Sequence, residues 1–156
     1  MSIETITAEA VPMVYVTRSV GMNATEITAV MDEAFVVIGG FIGKTGIVPA
    51  GDPLAVFRDW DESSGRLKVD VGFPVAPGDT GRIEGEIAAG ETPSGKALKA
   101  VHVGPYDTLS NTYGVLMAHM KEKGIPMAPV SWEVYANAPE DTPPDKLITE
   151  IYMQIA

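Results

Sequence analysis

Two residues near the carboxyl end, Glu150 and Tyr152, combine groups that could hold or convert a ligand. Leu147–Ile155 reads as one strand, and successive strand side chains point to opposite faces. Thr149, Ile151, Met153 and Ile155 then share a core-facing side, while Ile148, Glu150, Tyr152 and Gln154 share a mixed one. A carboxylate and a phenol two positions apart lie about 7 Å apart along the strand, close enough to act on one ligand. A half-solvated strand has the same alternation, so this pattern fits both a binding surface and an ordinary exposed face. In an apolar cleft the carboxyl would lose hydration and its pKa would rise unless a cation paired with it. It could then anchor a cation or move a proton, with the tyrosine hydroxyl donating nearby.

Other residues carry weaker signals. Tyr106 follows Gly104-Pro105 at a strand-to-helix turn, where closing the turn competes with touching a ligand. Trp132 and Tyr135 fall on opposite faces of one strand, and the pattern leaves open which of them faces a cleft. Tyr113 sits on a helical apolar stripe and reads as core; His102 reads as a strand-end residue and Asp70 as part of a solvated strand face. With two histidines, no cysteine and no His-Glu-x-x-His spacing, no metal site is expected. No Gly-x-Ser-x-Gly or phosphate-cradling loop is present, and no cofactor is expected. Gly39–Thr45 looks like a P-loop only superficially, because the helix precedes its glycines.

The elements that must position these groups repeat. Residues 1–20 read as strand, followed by a break at Gly21-Met22-Asn23. Asn23 is a plausible N-cap with Glu26 three residues on. Ile27, Val30, Met31, Ala34, Phe35 and Ile38 then recur at helical spacing, and Gly39-Gly40 should weaken or end that helix. Strands are expected over Leu54–Trp60 and Leu67–Val75, joined by a hairpin through Asp61–Gly65. After a Pro- and Gly-rich linker at 74–81 come expected strands at Arg82–Ala89 and Lys96–Val103. Asp107 should cap a second helix carrying Leu109, Tyr113, Leu116, Met117 and Met120. Strands at Ser131–Ala136 and the carboxyl end close the chain. Gly46-Ile47 recurs as Gly124-Ile125, and Leu54–Phe57 aligns with Trp132–Tyr135, both 78 positions on; Asp70 aligns with Glu150, 80 on. The expectation is an α+β fold of two fused strand–helix–strand–strand repeats, about 1–78 and 79–156, related by a pseudo-dyad. Antiparallel sheets would leave a ligand cleft between the repeats.

Composition bounds the partners. A chain of 156 residues with 46% hydrophobic content is a folded domain, with no apolar run of the roughly 20 residues a membrane helix needs. The net charge of −10 and scattered basic residues argue against nucleic acid and favour cationic or neutral small molecules. The start Met1-Ser2-Ile3-Glu4 lacks a secretory pattern, so a cytoplasmic protein is expected.

His102-Val103-Gly104-Pro105-Tyr106-Asp107, then Tyr113, Leu116, Gly124-Ile125-Pro126, Trp132-Glu133-Val134-Tyr135 and Pro139, with Glu150 beyond, resemble the GyrI-like family. That family is also called the AraC-type or bacterial transcription-activator effector-binding domain. The resemblance is best over 96–155. It implies two fused repeats with a ligand cleft and, in multidrug-sensing members, a lipophilic cation held against a glutamate of the last strand. Glu150 is the corresponding position here, with Tyr152, Trp132, Tyr135 and Tyr106 as aromatic walls. Other members are cyclopropanoid hydrolases, in which Glu150 and Tyr152 would be catalytic, and one inhibits DNA gyrase, which makes gyrase a further expected partner. In transcription factors the domain follows a helix-turn-helix segment. Met1–Thr17 is too short and strand-like for one, so direct DNA binding is not expected. Binding of a hydrophobic or cationic small molecule by a monomer or weak homodimer is the leading expectation, and hydrolysis of strained electrophiles the alternative.

Overall fold

The computed structural model describes residues 2–21 and 23–155; Met22 of the expected break lies outside them. Strands β1 (Ile3–Ala8) and β2 (Pro12–Gly21) lead to helix α1 (Ala24–Thr45), β3 (Leu54–Asp61) and β4 (Arg66–Pro74). Then follow β5 (Ala88–Glu91), β6 (Gly95–Val103), α2 (Leu109–Lys123), β7 (Met127–Tyr135) and β8 (Ile148–Ile155). The two units, β2-α1-β3-β4 and β6-α2-β7-β8, merge into one antiparallel sheet of eight strands in the order β1-β6-β8-β7-β3-β4-β2-β5.

That order is a palindrome of the two units, meeting at β3 and β7. Ala55 stands opposite Glu133, Leu54 opposite Val134 and Val56 opposite Trp132. Ala55 and Glu133 are 78 positions apart, the same offset that aligns Leu54–Phe57 with Trp132–Tyr135. The pseudo-dyad therefore passes between Ala55 and Glu133. Val56 opposes Asp70 as Val134 opposes Glu150, so Asp70 and Glu150 occupy matching places.

Cross-strand partners point the same way, so one row can be followed across six strands: Ala100, Ile151, Glu133, Ala55, Val71 and Val16. Ala100 and Ile151 pack with Leu116 and Met120 of α2. Ala55, Val71 and Val16 pack with Ala34, Ile38 and Phe41 of α1. Both helices thus cover the same sheet face. The neighbouring row, Lys99, Tyr152, Trp132, Val56, Asp70 and Thr17, belongs to the other face.

That other face is rolled inward. β1 and β2 stand six places apart in the sheet, which would separate them by about 29 Å if it were flat. Residues 9–11 alone join them, and a link from Ala8 to Pro12 reaches at most about 14 Å. Residues 92–94 impose the same limit between β5 and β6. The sheet must curl, and it encloses a second core of Met13, Leu54, Val56, Ala97 and Trp132, with Tyr15 and Tyr152 at its margin.

Local chemistry explains the helix ends. The Asn23 side chain accepts from the Thr25 and Glu26 amides at 2.9 and 3.1 Å, as its position predicts. α1 does not end at Gly39-Gly40: burial of Ile38 and Phe41 outweighs about 1 kcal/mol of helix propensity per glycine. It stops at Gly46, whose left-handed φ of 72° lets its amide reach the Ile42 carbonyl. Asp107 does not cap α2; it lies in a 3₁₀ turn, Tyr106–Thr108, that precedes the helix. The strand expected at Arg82–Ala89 is instead largely irregular, with a 3₁₀ turn over Pro77–Arg82 before it and only β5 pairing.

Candidate functional site

Within the row shared by the two helices, five side chains are apolar and the sixth is Glu133. Its carboxylate is buried at 7% exposure on the pseudo-dyad. Strand periodicity places Tyr135 on the same face, where its hydroxyl donates to Glu133 Oε1 at 2.7 Å. From α2, the Tyr113 hydroxyl donates to Oε2. Tyr135 is walled edge-on by Phe35 of α1, with ring centroids 5.7 Å apart, and by Tyr106, at 5.9 Å. Tyr106 is partly exposed and stands on the solvent side of this cluster.

Burial pushes the Glu133 carboxyl above the ordinary carboxylate range, although the bonds from Tyr113 and Tyr135, and the nearby His102, pull the other way. Burial also lifts the Tyr113 and Tyr135 hydroxyls well above the usual phenol range, with the Glu133 charge adding to it. Both phenols therefore keep their protons at neutral pH and act as donors. Tyr106 is raised by burial and by the charges of Glu140 and Glu133.

His102 lies at the end of β6, as expected; it is buried and holds the turn that carries Tyr106. Its Nε2–H donates to the Pro105 carbonyl at 3.1 Å, and Nδ1 lies 2.7 Å from the Thr112 hydroxyl on α2. Thr149 stands between His102 and Tyr135 in the sheet register, and its buried hydroxyl has no partner among the described residues.

The sequence candidates divide between the two faces. Tyr106 and Tyr135 join the Glu133 cluster under the helices. Trp132, Tyr152 and Glu150 lie on the rolled face, so the sheet backbone separates the five expected site residues into two groups. There Trp132 and Tyr152 stack at 5.0 Å with an interplanar angle of 5°, and Lys99 Nζ lies 5.7 Å from the Tyr152 ring centre. The Tyr152 hydroxyl donates to Glu150 Oε1 at 2.9 Å, and Lys99 approaches Oε2 at 3.7 Å. The Glu150 side chain retains 29% exposure, more than the dry setting the sequence led one to expect. Burial, and next the bond to Glu150, raise the Tyr152 hydroxyl. Asp70, expected on a solvated face, is also buried, because Arg58 grips it with bonds of 2.7 and 3.0 Å and Thr17 donates at 2.7 Å.

Glu133 was not singled out from the sequence, yet a signal was present. Alternation through Ser131-Trp132-Glu133-Val134-Tyr135 puts a carboxylate on the side that its repeat counterpart fills with Ala55. A charge in a core row is the exception that marks function or a satisfied buried group. Among the described residues no cluster of three or more histidines and carboxylates could hold a metal ion, and no helix is long and apolar enough to cross a membrane.

Comparison with known proteins adds to this geometry. The family model of the GyrI-like small molecule binding domain matches residues 1–156. The crystal structure of the EcmrR C-terminal domain superposes with a TM-score of 0.81 at 19% identity, covering 99% of this chain and 97% of that one. In the EcmrR–DNA complex this chain spans 57% of the EcmrR chain. SAV2435 bound to tetraphenylphosphonium gives 0.70 at 11% identity, covering 100% and 94%. A hydrolase from Listeria innocua gives 0.61 at 14% identity, covering 99% and 91%. At these identities the likeness is one of fold. No curated protein matches the sequence.

Proposed function

Because the chain belongs to the GyrI-like small-molecule-binding domain family over its full length, we propose that it binds a hydrophobic, singly cationic small molecule against Glu133. The observation that carries this reading is a lone carboxylate at the centre of an apolar row, ringed by Tyr113, Tyr135, Tyr106 and Phe35. An organic cation would recover the cost of ionising that carboxylate in a dry place, and aromatic faces add about 0.5–2 kcal/mol of cation–π attraction. Its apolar body contributes about 25 cal/mol per Å² removed from water. The buried Thr149 hydroxyl offers a further polar contact beside Tyr135. Entry requires Tyr106, on the solvent side of the cluster, to move aside.

We assign the anchor to Glu133 in preference to Glu150. Glu150 already faces Lys99 and is partly hydrated, so a ligand cation there has less to gain. Titration with tetraphenylphosphonium tests this: Glu133→Gln should weaken binding about 30-fold or more, on the scale of a lost buried ion pair, and Glu150→Gln should change it little. The reverse pattern would move the anchor to Glu150.

The same geometry favours a second reading, in which Glu133 and a phenol pass a proton to or from a strained electrophile during hydrolysis. A carboxyl lifted by burial between two phenol donors is suited to that role. Product formation from a cyclopropane-containing electrophile by wild type, and none by Glu133→Gln, would establish it; no turnover by either leaves a pure binder.

A further inference from the structure

We propose that the rolled face of the sheet holds a second small-molecule site, separate from Glu133, for a compact apolar body of one or two rings with a cationic end. The short links at 9–11 and 92–94 force the sheet to curl, and a hollow of about 250 Å³ opens where they meet it. Trp132, Tyr152, Leu54 and Val134 form its apolar wall, and Glu9 and Asp52 stand at its rim. Among the described residues no lysine, arginine or histidine lines it. Apolar wall and acidic rim together select a molecule with the opposite charge at one end, as the field of a chain with net charge −10 does at longer range.

Size narrows the class further. The hollow falls just below the usual 300–1,000 Å³ of ligand sites, so cations as bulky as tetraphenylphosphonium would not fit. The wall is also preorganised: Trp132 and Tyr152 are held parallel by their stack, with Lys99 against the Tyr152 ring. Trp132 and Glu133 are sequence neighbours on opposite faces, so a ligand here cannot touch the Glu133 carboxylate.

The probe is benzyltrimethylammonium, and the readout is the pair of indole N–H resonances of Trp132 and Trp60. Trp60 lies half-exposed outside the hollow and serves as the internal control. A saturable shift of Trp132 alone is expected in wild type and, undiminished, in Glu133→Gln. The rim variant Glu9→Gln/Asp52→Asn, altered only at exposed positions, should weaken binding about 10-fold. Ala8→Phe, which fills the hollow from β1, should abolish the shift. The proposal is overturned by no saturable Trp132 shift in wild type, or by a shift lost in Glu133→Gln but kept in Ala8→Phe. Equal affinity in the rim variant, or for neutral benzyl methyl ether, would also overturn it. None of these outcomes depends on tetraphenylphosphonium binding, so this site and the Glu133 site stand or fall separately.

Discussion

At the scale of single residues, replacing Glu133 with Gln removes a charge that the fold holds at a cost. Its carboxyl is raised in the folded state, so the folded protein binds more protons than the unfolded chain between the two pKa values. That contribution to stability is complete below the unfolded value and is lost as pH rises through the folded one. Glu133→Gln should therefore gain on wild type in melting temperature as pH rises above about 4, the ordinary carboxylate value; parallel curves would show a hydrated carboxyl. Asp70 carries a charge that Arg58 and Thr17 satisfy by hydrogen bonds. Removing its partner with Arg58→Leu should cost about 2 kcal/mol by denaturant unfolding, discounted for the 30% exposure of Arg58, and Arg58→Leu/Asp70→Leu should recover most of it. At this scale the sequence was only partly legible. Alternation correctly separated Trp132 from Tyr135, but no local pattern tells that Arg58, twelve residues away, neutralises Asp70. Nor does it tell that Tyr113 reaches from a helix to Glu133.

Among the elements, α1 shows how burial overrides a local rule. A methyl group at Gly39 or Gly40 would meet nothing within 4 Å among the described residues, so Ala at each should stabilise by about 0.5–1 kcal/mol. If α1 must yield for a ligand to reach Glu133, Gly39→Ala/Gly40→Ala should also bind tetraphenylphosphonium more slowly by stopped-flow. Gly72 behaves oppositely: a Cβ there would come within 1.9 Å of the Val14 carbonyl oxygen, and Gly72→Ala should cost several kcal/mol or prevent folding. The periodic elements, both helices and the strands β3, β4, β6 and β8, were readable because 3.6- and 2-residue alternation survives in them. The 82–87 stretch misled because its β-branched residues never find a neighbouring strand, and no sequence rule supplies one.

For the molecule as a whole, the repeat offset of 78 residues conveyed two matching α+β units, and the structure adds that they meet edge to edge at β3 and β7 in one sheet. What the offset could not convey is the roll, which follows from two three-residue links and not from any pattern within the strands. Because β3 and β7 lie at the centre of the sheet, their paired amides should exchange most slowly with deuterated solvent, and those of the edge strands β1 and β5 fastest. The axis between Ala55 and Glu133 has one more consequence. A second glutamate at the Ala55 position would set two acids face to face, sharing one proton when empty and both ionised around a doubly charged guest; methyl on one side and carboxyl on the other instead leave room for a single unit of charge. At the proposed Glu133 site this broken symmetry favours one monovalent guest. Ala55→Glu should restore the missing twin and shift preference toward dications.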